Sequence, residues 1–288
     1  MKNKGKLIII GGHEDKVGDR VILKEIARRC KGKLVLATVA SDVADEVWKD
    51  YEKIFKDLGV KQVVHLDINS MDEARDPAKI EVLDRASVIF FTGGDQLKIT
   101  TRIGGTPVAD KILELFHNGA TIAGTSAGAS VMSSTMLTSG DNDESHKIGN
   151  LSMAPGLSLT REMIIDQHFA QRGRIGRLLG AVALNPGVLG VGIDEDTCII
   201  VDETGFDVMG SNAVYIVDGR EVRKTNVTDQ AKDKTMTIFG VKLHVLADRD
   251  SFEFETREPS IREPDADATK TTVKSSSKTD SRESAQIH

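Results

Sequence analysis

Short apolar runs alternate with amphipathic segments along the first two-thirds of the chain. Buried strands are predicted in KLIIIGG, KLVLATVA, KQVVHLDI, SVIFFTGGD and ATIAGTSAG. Between them, apolar residues recur at helical spacing in RVILKEIARRC, ADEVWKDYEKIFKDLG, DPAKIEVLDRA and PVADKILELFHNG. Strands and helices that alternate in this way predict an α/β fold with a mostly parallel sheet flanked by helices. Ligands bind such sheets beyond the carboxyl ends of the strands, which directs attention to GGHED, ASDVAD, GGDQLK and TSAGAS.

The last third of the chain has a different pattern. Short strands are predicted in GVLGVGIDEDTCIIVD, GFDVMG, NAVYIVDGREV and TIFGVKLHVLA, so the C-terminal part is expected to be β-rich. The pair Asp218-Gly219, between two apolar runs, predicts a tight hairpin turn. Aromatic residues cease after Phe254, and Ser, Thr, Lys, Asp and Glu dominate from there on. We therefore predict a single domain over residues 1–255 and a disordered polar tail over residues 256–288.

Composition and charge exclude several classes of partner. The net charge is −6 and aromatic residues make up 4% of the chain, which disfavours nucleic acid as a partner. The apolar run at the N-terminus, from Leu7 to Ile10, is too short for a signal peptide or a membrane span. Cys30 and Cys198 are far apart in the sequence and are predicted to be buried thiols in a reducing cytosol. Because no histidines or cysteines show metal-ligand spacing, no metal or cofactor is predicted.

The segment TIAGTSAGASVMSS places small residues between an apolar strand and a stretch, ASVMSSTML, that is predicted to be helical. Its GTSAG portion fits the pattern Gly-x-Ser-x-Gly, with Ser126 in the middle. This pattern is typical of a sharp strand-to-helix turn that exposes a serine hydroxyl. The amide of Ala127 would then face a developing oxyanion. We predict Ser126 as a nucleophile, and the alternative is a packing turn rich in Gly and Ala.

A nucleophilic serine requires a base, and the histidines of the chain have different surroundings. His168 follows a strand-like run in IIDQHFAQRGRIGRL, which makes it the favoured base. The polar cluster around it comprises Asp166, Gln167, Arg172, Arg174 and Arg177. His13 comes directly after the first strand and is a second candidate.

The third member of a catalytic triad is an acid that orients the imidazole. The motif GIDEDT offers Asp194, Glu195 and Asp196 at the end of an apolar run. Alternation along a strand places Glu195 on the face opposite to the two aspartates. The residues themselves leave the choice between these faces open.

Four motifs in this order carry a resemblance to a known family: FFTGGDQLKIT, GTSAGAS, DQHFAQRGRIGRL and GIDEDT. Together they resemble the cyanophycinase and aspartyl-dipeptidase family of serine peptidases over about residues 5 to 250. The resemblance implies an α/β sandwich with a core like that of class I glutamine amidotransferases, which is flavodoxin-like. It also implies a triad of Ser126, His168 and Glu195, with an oxyanion hole made by the amides of Gly94 and Ala127.

The motifs match the cyanophycinase branch of the family more closely than the dipeptidase branch, because DQHFAQRGRIGRL and TGGDQL stand whole. This resemblance implies that the substrate is cyanophycin, a poly-aspartate whose β-carboxyl groups carry arginine. It further implies an exopeptidase that releases β-Asp-Arg dipeptides through an acyl-enzyme. Such an enzyme would be a cytoplasmic homodimer that requires no cofactor.

A substrate of this kind presents carboxylates and guanidinium groups, and polar residues near the predicted triad match both. Arg174 and Arg177 are predicted to grip carboxylates, and Asp166 to oppose a guanidinium. The full set of predicted substrate-binding residues is Gln96, Asp166, Gln167, Arg172, Arg174 and Arg177. The stretch SGDNDESHK, residues 139–147, is either an acidic flap over the substrate or a solvated loop.

Three other functions remain as alternatives. An α-aspartyl dipeptidase would act on short peptides with the same triad. A non-catalytic binding protein would keep the pocket without the chemistry. A glutamine amidotransferase is disfavoured because that class needs a cysteine at the turn, where this chain has Ser126.

Overall fold

The computed structural model describes residues 4–139, 151–229 and 234–261. The helices are α1 (Val21–Arg29), α2 (Ala44–Asp57), α3 (Pro77–Val82), α4 (Gln96–Ile103), α5 (Pro107–His117), α6 (Ala127–Ser130) and α7 (Ile175–Leu184). The first strands are β1 (Leu7–Ile10), β2 (Lys33–Ala37), β3 (Gln62–Leu66), β4 (Ala86–Phe91), β5 (Thr121–Thr125), β6 (Thr135–Ser139), β7 (Ser152–Pro155) and β8 (Met163–Gln167). The others are β9 (Leu189–Ile193), β10 (Thr197–Val201), β11 (Gly205–Gly210), β12 (Val214–Asp218), β13 (Lys224–Thr225), β14 (Ile238–Phe239), β15 (Lys242–Leu246), β16 (Asp250–Glu253) and β17 (Pro259–Ile261).

The main sheet has nine strands in the order β17-β16-β11-β10-β1-β5-β4-β2-β3. The strands from β1 to β3 in this order pair in parallel, as strand-helix-strand units require. The strands from β17 to β1 pair antiparallel and come, apart from β1, from the last third of the chain. The predicted α/β fold with a β-rich C-terminal part is confirmed.

A second sheet has four strands in the order β15-β12-β9-β8. Its strands β8 and β9 are parallel, and Gln167 pairs with Ile193 at their carboxyl ends. The outer face is covered by α7, through contacts of Leu178 and Val182 with Val217. Because β8 and β9 end side by side, the residues that follow them, from 168 and from 194 onwards, lie next to one another.

Both faces of the main sheet are buried, which explains the uninterrupted apolar run of β1. Ile8 and Ile10 point to a core that includes Phe55 of α2 and residues of α1. Leu7 and Ile9 point the other way, into a core shared with the inner face of the second sheet. Each large side chain buried in this way contributes about 1.5–3 kcal/mol to folding. The main sheet is therefore covered by α1 and α2 on one face and by α4, α5 and the second sheet on the other, and α7 packs on the outer face of the second sheet.

The helix predicted after Ser126 is shorter than expected. It comprises only α6, and Thr135–Ser139 forms strand β6 instead of a helical turn. The amide of Leu157 donates to the carbonyl of Val131 at 2.6 Å, and that of Thr160 to Met132 at 3.0 Å. In a longer helix, these two carbonyls would accept hydrogen bonds from amides of the helix itself. Because amides of the later segment that contains Leu157 and Thr160 bind them instead, α6 ends here.

The hairpin predicted at Asp218-Gly219 is wrong. Strand β12 pairs with β15, with Asp218 opposite Lys242, and the short pair β13 and β14 lies in the intervening chain. The Asp218 carboxylate accepts hydrogen bonds from the amide of Arg220 at 3.0 Å and from Nη1 of Arg257 at 2.7 Å. Asp218, which predicted the tight hairpin turn, is therefore bound by Arg257 from a distant segment of the chain.

The predicted boundary at residue 255 is too early, because β17 adds an antiparallel edge to β16 and extends the main sheet to Ile261. The rest of the predicted tail, residues 262–288, and residues 140–147 of the predicted flap lie outside the described residues. Both cysteines are free; Cys198 is buried and Cys30 half-buried. In the part of the chain that the structure describes, no helix has the length and apolarity needed to cross a membrane.

Candidate active site

The candidate site forms where the carboxyl ends of the two sheets meet. The amide of Ser126, directly after β5, donates to the carbonyl of Ile10 at the end of β1, at 3.1 Å. The amide of His168, directly after β8, donates to the carbonyl of Gly11 at 2.8 Å. The chain after β1 therefore holds the serine and the histidine, one from each sheet, against each other.

The backbone at Ser126 has the conformation of a sharp turn. Its φ is 53° and its ψ is −111°, a region that costs a non-glycine residue about 1–3 kcal/mol. The flanking glycines are required by close approach: a Cβ at Gly124 would collide with the carbonyl of Gly128, and one at Gly128 with that of Phe91. The Gly-x-Ser-x-Gly pattern thus lets β4, β5 and α6 pack tightly enough to lift the hydroxyl out of the sheet.

Ser126, His168 and Glu195 form a continuous hydrogen-bonded chain. The Oγ of Ser126 lies 3.0 Å from Nε2 of His168, and Nδ1 of His168 lies 2.7 Å from Oε1 of Glu195. A carboxylate only accepts, so Nδ1 carries the hydrogen and Nε2 is free to accept the serine proton. The imidazole is buried, with 3% of the residue exposed, and its orientation is therefore fixed from both ends.

The pKa of His168 lies below the ordinary value for histidine. Burial is the largest cause, because it disfavours the imidazolium, and the positive charge of Arg172 acts in the same direction. The hydrogen bond with Glu195 opposes both by stabilising the charged form. The ring is consequently neutral at neutral pH, which is the state that a general base needs.

Of the three adjacent acids in GIDEDT, Glu195 is the one beside the imidazole. The carboxylate of Asp194 is buried and accepts the amide of Ala170 at 2.8 Å. The carboxylate of Asp196 accepts the amide of Asp15, also at 2.8 Å. The two aspartates therefore bind loop amides on one face at the end of β9. Glu195 lies on the other face, which is the one that contacts His168.

His13, the second candidate base, lies at the edge of this chain of groups. Its Nε2 is 4.0 Å from Oε1 of Glu195, and its exposed ring meets that of His168 edge-on at 5.1 Å between centroids. One ligand atom from each of these three residues lies within 4.8 Å of the other two. This grouping could hold a transition-metal ion, which would compete with the hydrogen bond between His168 and Glu195.

Three of the predicted substrate-binding residues bind one another instead. Asp166 is 0% exposed, while Arg174 and Arg177 are 8% and 5% exposed. Nε of Arg177 lies 2.6 Å from Oδ2 of Asp166, its Nη2 contacts Oδ1, and Nη1 of Arg174 lies 3.3 Å from the same oxygen. The prediction that these groups face substrate is corrected: the carboxylate meets the protein's own guanidinium groups, since all three are enclosed between β8 and α7.

The other predicted substrate-binding residues lie elsewhere around the site. Arg172 is exposed and close enough to His168 to influence its pKa. Gln167 is buried, and its Oε1 has no hydrogen-bond partner among the described residues. Gln96 is half-buried at the start of α4, and its amide donates to the carbonyl of Leu137 at 3.1 Å. Arg172 and Gln167 therefore keep hydrogen-bonding capacity that the protein does not use.

The two amides predicted to form the oxyanion hole are unoccupied. Among the described residues, no acceptor receives the backbone hydrogen of Gly94 or of Ala127. Ala127 is the first residue of α6, where the helix leaves its amides without internal partners.

A cavity of about 450 Å³ opens beside Ser126 and His168. It is also lined by Glu14 and Tyr51, which the sequence analysis did not single out. Glu14 belongs to GGHED, one of the predicted strand-end segments, so its position could have been found from the sequence. Tyr51 lies in the middle of α2, and no feature of its surroundings in the sequence distinguishes it from a core residue.

Comparison with known proteins assigns this chain to a family. Peptidase family S51 matches residues 7–209. A cyanophycinase of Trichormus variabilis is 37% identical over 88% of this chain and 87% of its own length. A cyanophycinase of Synechococcus elongatus is 35% identical over 89% of this chain and 81% of its own. The fold is shared with a crystal structure of a peptidase from an acI-B1 actinobacterium, with a TM-score of 0.64, 18% identity and coverage of 88% of this chain and 98% of that one. The chain therefore belongs to peptidase family S51 and is a serine-type peptidase.

Proposed function

We propose that this protein is an exopeptidase that hydrolyses cyanophycin to β-Asp-Arg dipeptides, with Ser126 as nucleophile, His168 as general base and Glu195 as the orienting acid. The single observation that carries the triad is the hydrogen-bonded chain from Ser126 through His168 to Glu195, at 3.0 and 2.7 Å. The substrate is supported by the relatives, which are named cyanophycinases and align with most of this chain.

The reaction begins with attack of the Ser126 Oγ on the carbonyl carbon of the scissile peptide bond. Nε2 of His168 takes the serine proton, and the imidazolium is stabilised by Glu195 across Nδ1. The same proton passes to the leaving amine when the peptide C–N bond breaks. An ester to Ser126 remains, and a water molecule deprotonated by His168 then cleaves it.

The negative charge that develops on the carbonyl oxygen needs donors that are already in position. The amides of Gly94 and Ala127 fit this role, because they have no acceptor in the described part of the chain and lie on either side of the serine turn, after β4 and after β5. Preorganised amides of this kind are worth about 3–4 kcal/mol each in the transition state. The strained backbone of Ser126 keeps the hydroxyl and the Ala127 amide on the same side.

Polymer contacts are assigned to the groups with unused hydrogen-bonding capacity. Arg172, exposed beside His168, suits a carboxylate of the poly-aspartate backbone. Gln96 at the start of α4 contributes its amide if the bond to Leu137 opens, whereas Oε1 of Gln167 is buried and can meet the polymer only if its side chain turns outward.

The test uses Ser126→Ala with Ser134→Ala as a matched control. Ser134 lies on the same segment, and its hydroxyl donates only to the carbonyl of Thr160, at 3.2 Å. Purified variants are incubated with cyanophycin, and released β-Asp-Arg is quantified by mass spectrometry. Ser126→Ala should release dipeptide at least about a thousandfold more slowly than wild type, and Ser134→Ala at close to the wild-type rate. Undiminished release by Ser126→Ala would refute the triad, while wild-type cleavage of Asp-X dipeptides but not of cyanophycin would refute the substrate.

The proposal includes a cytoplasmic homodimer. Both cysteines are free thiols, as is usual in a reducing compartment. Strand β15 is an edge of the second sheet and exposes Leu243 and Val245, an apolar surface that a second copy would cover. Light scattering after size exclusion measures the mass, and Leu243→Lys should convert a dimer at this surface to a monomer.

A further inference from the structure

A buried acid lies in the cavity beside Ser126 and has no role in the proposed triad. Glu14 is 4% exposed, although it sits in the loop after β1 at the site. The hydroxyl of Tyr51 donates to its Oε1, and the hydroxyl of Thr125 donates to its Oε2 at 2.6 Å. Thr125 directly precedes Ser126, so the carboxylate lies close to the proposed nucleophile.

The carboxylate of Glu14 keeps unused acceptor capacity. An ionised carboxylate accepts about four hydrogen bonds, and the two hydroxyls take one on each oxygen. Burial and the negative charge of Glu14 raise the pKa of Tyr51 well above its usual range, so the phenol keeps its proton and remains a donor. One acceptor position on each oxygen is left, which is the arrangement that a planar guanidinium matches with two parallel N–H groups.

Glu14 also has no cationic partner among the described residues. Throughout residues 4–139, 151–229 and 234–261, no lysine, arginine or histidine nitrogen reaches ion-pair distance from it. The nearby Lys16 is exposed, and its Nζ lies over the ring of Tyr51, 4.1 Å from the centroid. A buried carboxylate without a counter-ion is costly, and a cation entering from the cavity would remove that cost.

We propose that Glu14 forms the floor of a specificity subsite that receives the guanidinium of a substrate arginine. The inference rests on the proposed function, because it assigns one side chain of that substrate to one cavity. The cavity of about 450 Å³ has room for an arginine side chain. Glu14 takes no part in bond breaking in this scheme; it selects the charged side chain and positions the polymer over Ser126.

The first experiment measures binding without turnover. Ser126→Ala is titrated with β-aspartyl-arginine and with β-aspartyl-citrulline, a neutral analogue of nearly the same shape. Arginine should bind about 10- to 100-fold more tightly, because a hydrogen bond to a charged partner is lost in citrulline. Adding Glu14→Gln should reduce this preference to about threefold or less. Equal binding of the two dipeptides to Ser126→Ala, or a preference that survives Glu14→Gln, would overturn the inference.

Two matched variants separate charge from shape. Tyr51→Phe keeps the carboxylate and should keep the preference for arginine, whereas a loss as large as that of Glu14→Gln would overturn the role of the charge. Glu52→Gln makes the same chemical change on the surface of α2, where Glu52 pairs with Lys56, and should change nothing. Thermal melting checks folding; if Glu14→Gln fails to fold, Glu14→Ala, which also removes the charge, replaces it, and an unchanged preference in that variant overturns the inference.

The outcome is distinguishable from failure of the proposed function. The binding experiment does not require cleavage, so an arginine preference that depends on Glu14 stands even if cyanophycin is not hydrolysed. The converse result is that Glu14→Gln hydrolyses cyanophycin and keeps the wild-type ratio of kcat/KM between arginine-containing and citrulline-containing substrates. That result would support the peptidase activity and refute the subsite.

Discussion

Replacing Asp166 by asparagine is expected to destabilise the protein as a whole. Asp166 is 0% exposed and is the shared counter-ion of Arg174 and Arg177, both nearly buried. The substitution keeps the size of the side chain and removes its charge. Two buried guanidinium groups then face each other without an anion, in the space between β8 and α7.

The magnitude follows from the burial of all three groups. Breaking a buried ion pair by removing one partner costs about 3–5 kcal/mol, because the remaining charge is left uncompensated. Asparagine can still accept one hydrogen bond through its oxygen, which places the expected loss near the lower end, at about 3 kcal/mol. Burial lowers the pKa of Arg174 to about 10, so this guanidinium is charged at neutral pH in the wild-type protein.

Urea denaturation followed by circular dichroism measures the free energy of unfolding. The control is Asp42→Asn, which removes a carboxylate paired with Lys98 at a position where 85% of the aspartate side chain is exposed. The control should change the free energy of unfolding by less than about 1 kcal/mol. If Asp166→Asn unfolds at the wild-type urea concentration and only raises KM for the polymer, the carboxylate contacts substrate and the reasoning from burial is refuted.

Other predictions follow from the geometry around His168. Gly12→Ala should lower kcat by about 100-fold or more, because the new Cβ would collide with the imidazole, and Gly12 has a φ of 105° that alanine rarely adopts; near-wild-type kcat would contradict this. The acid limb of the kcat/KM profile should lie below pH 6.5, since activity is lost only as falling pH protonates an imidazole whose pKa is already lowered. Glu195→Gln should move that limb to still lower pH and reduce kcat, because the hydrogen bond to the carboxylate is what raises the pKa; a limb moved upward would reverse the argument. Micromolar Zn²⁺ should inhibit wild type more strongly than His13→Ala, as measured by inhibitor titration, and equal inhibition would exclude the three-residue grouping as its site.

The sequence by itself determined the features that depend on near neighbours in the chain. The apolar run of β1 signals burial on both faces because successive side chains of a strand point in opposite directions. The alternation of strand and helix predicts parallel pairing, since a crossover helix returns the chain to the same end of the sheet. The small residues around Ser126 predict a tight turn. The structure gives the physical reason, since packing at Gly124 and Gly128 leaves no room for a Cβ.

Local patterns were less informative where a side chain has partners in a distant segment. Asp166 and the arginines of DQHFAQRGRIGRL suggested a substrate-binding cluster, and the chemistry of those residues suits a carboxylate or a guanidinium on any partner. The partner is decided by α7, which packs on β8 and presents Arg177 to Asp166 at 2.6 Å. The hairpin predicted at Asp218 failed for the same reason, because β12 pairs with β15 and not with the chain that directly follows Gly219.

Only the tertiary structure decided which groups share the space around Ser126. Alternation left open whether Glu195 or its neighbours face the histidine, and the choice came from the resemblance to a family. In the fold, the parallel pairing of β8 and β9 sets Glu195 against the imidazole, while loop amides occupy the aspartates. Glu14 and Tyr51 are 37 residues apart, and they meet because α2 packs over the end of β1. Such contacts depend on how whole helices and strands pack together, so no local sequence pattern predicts them.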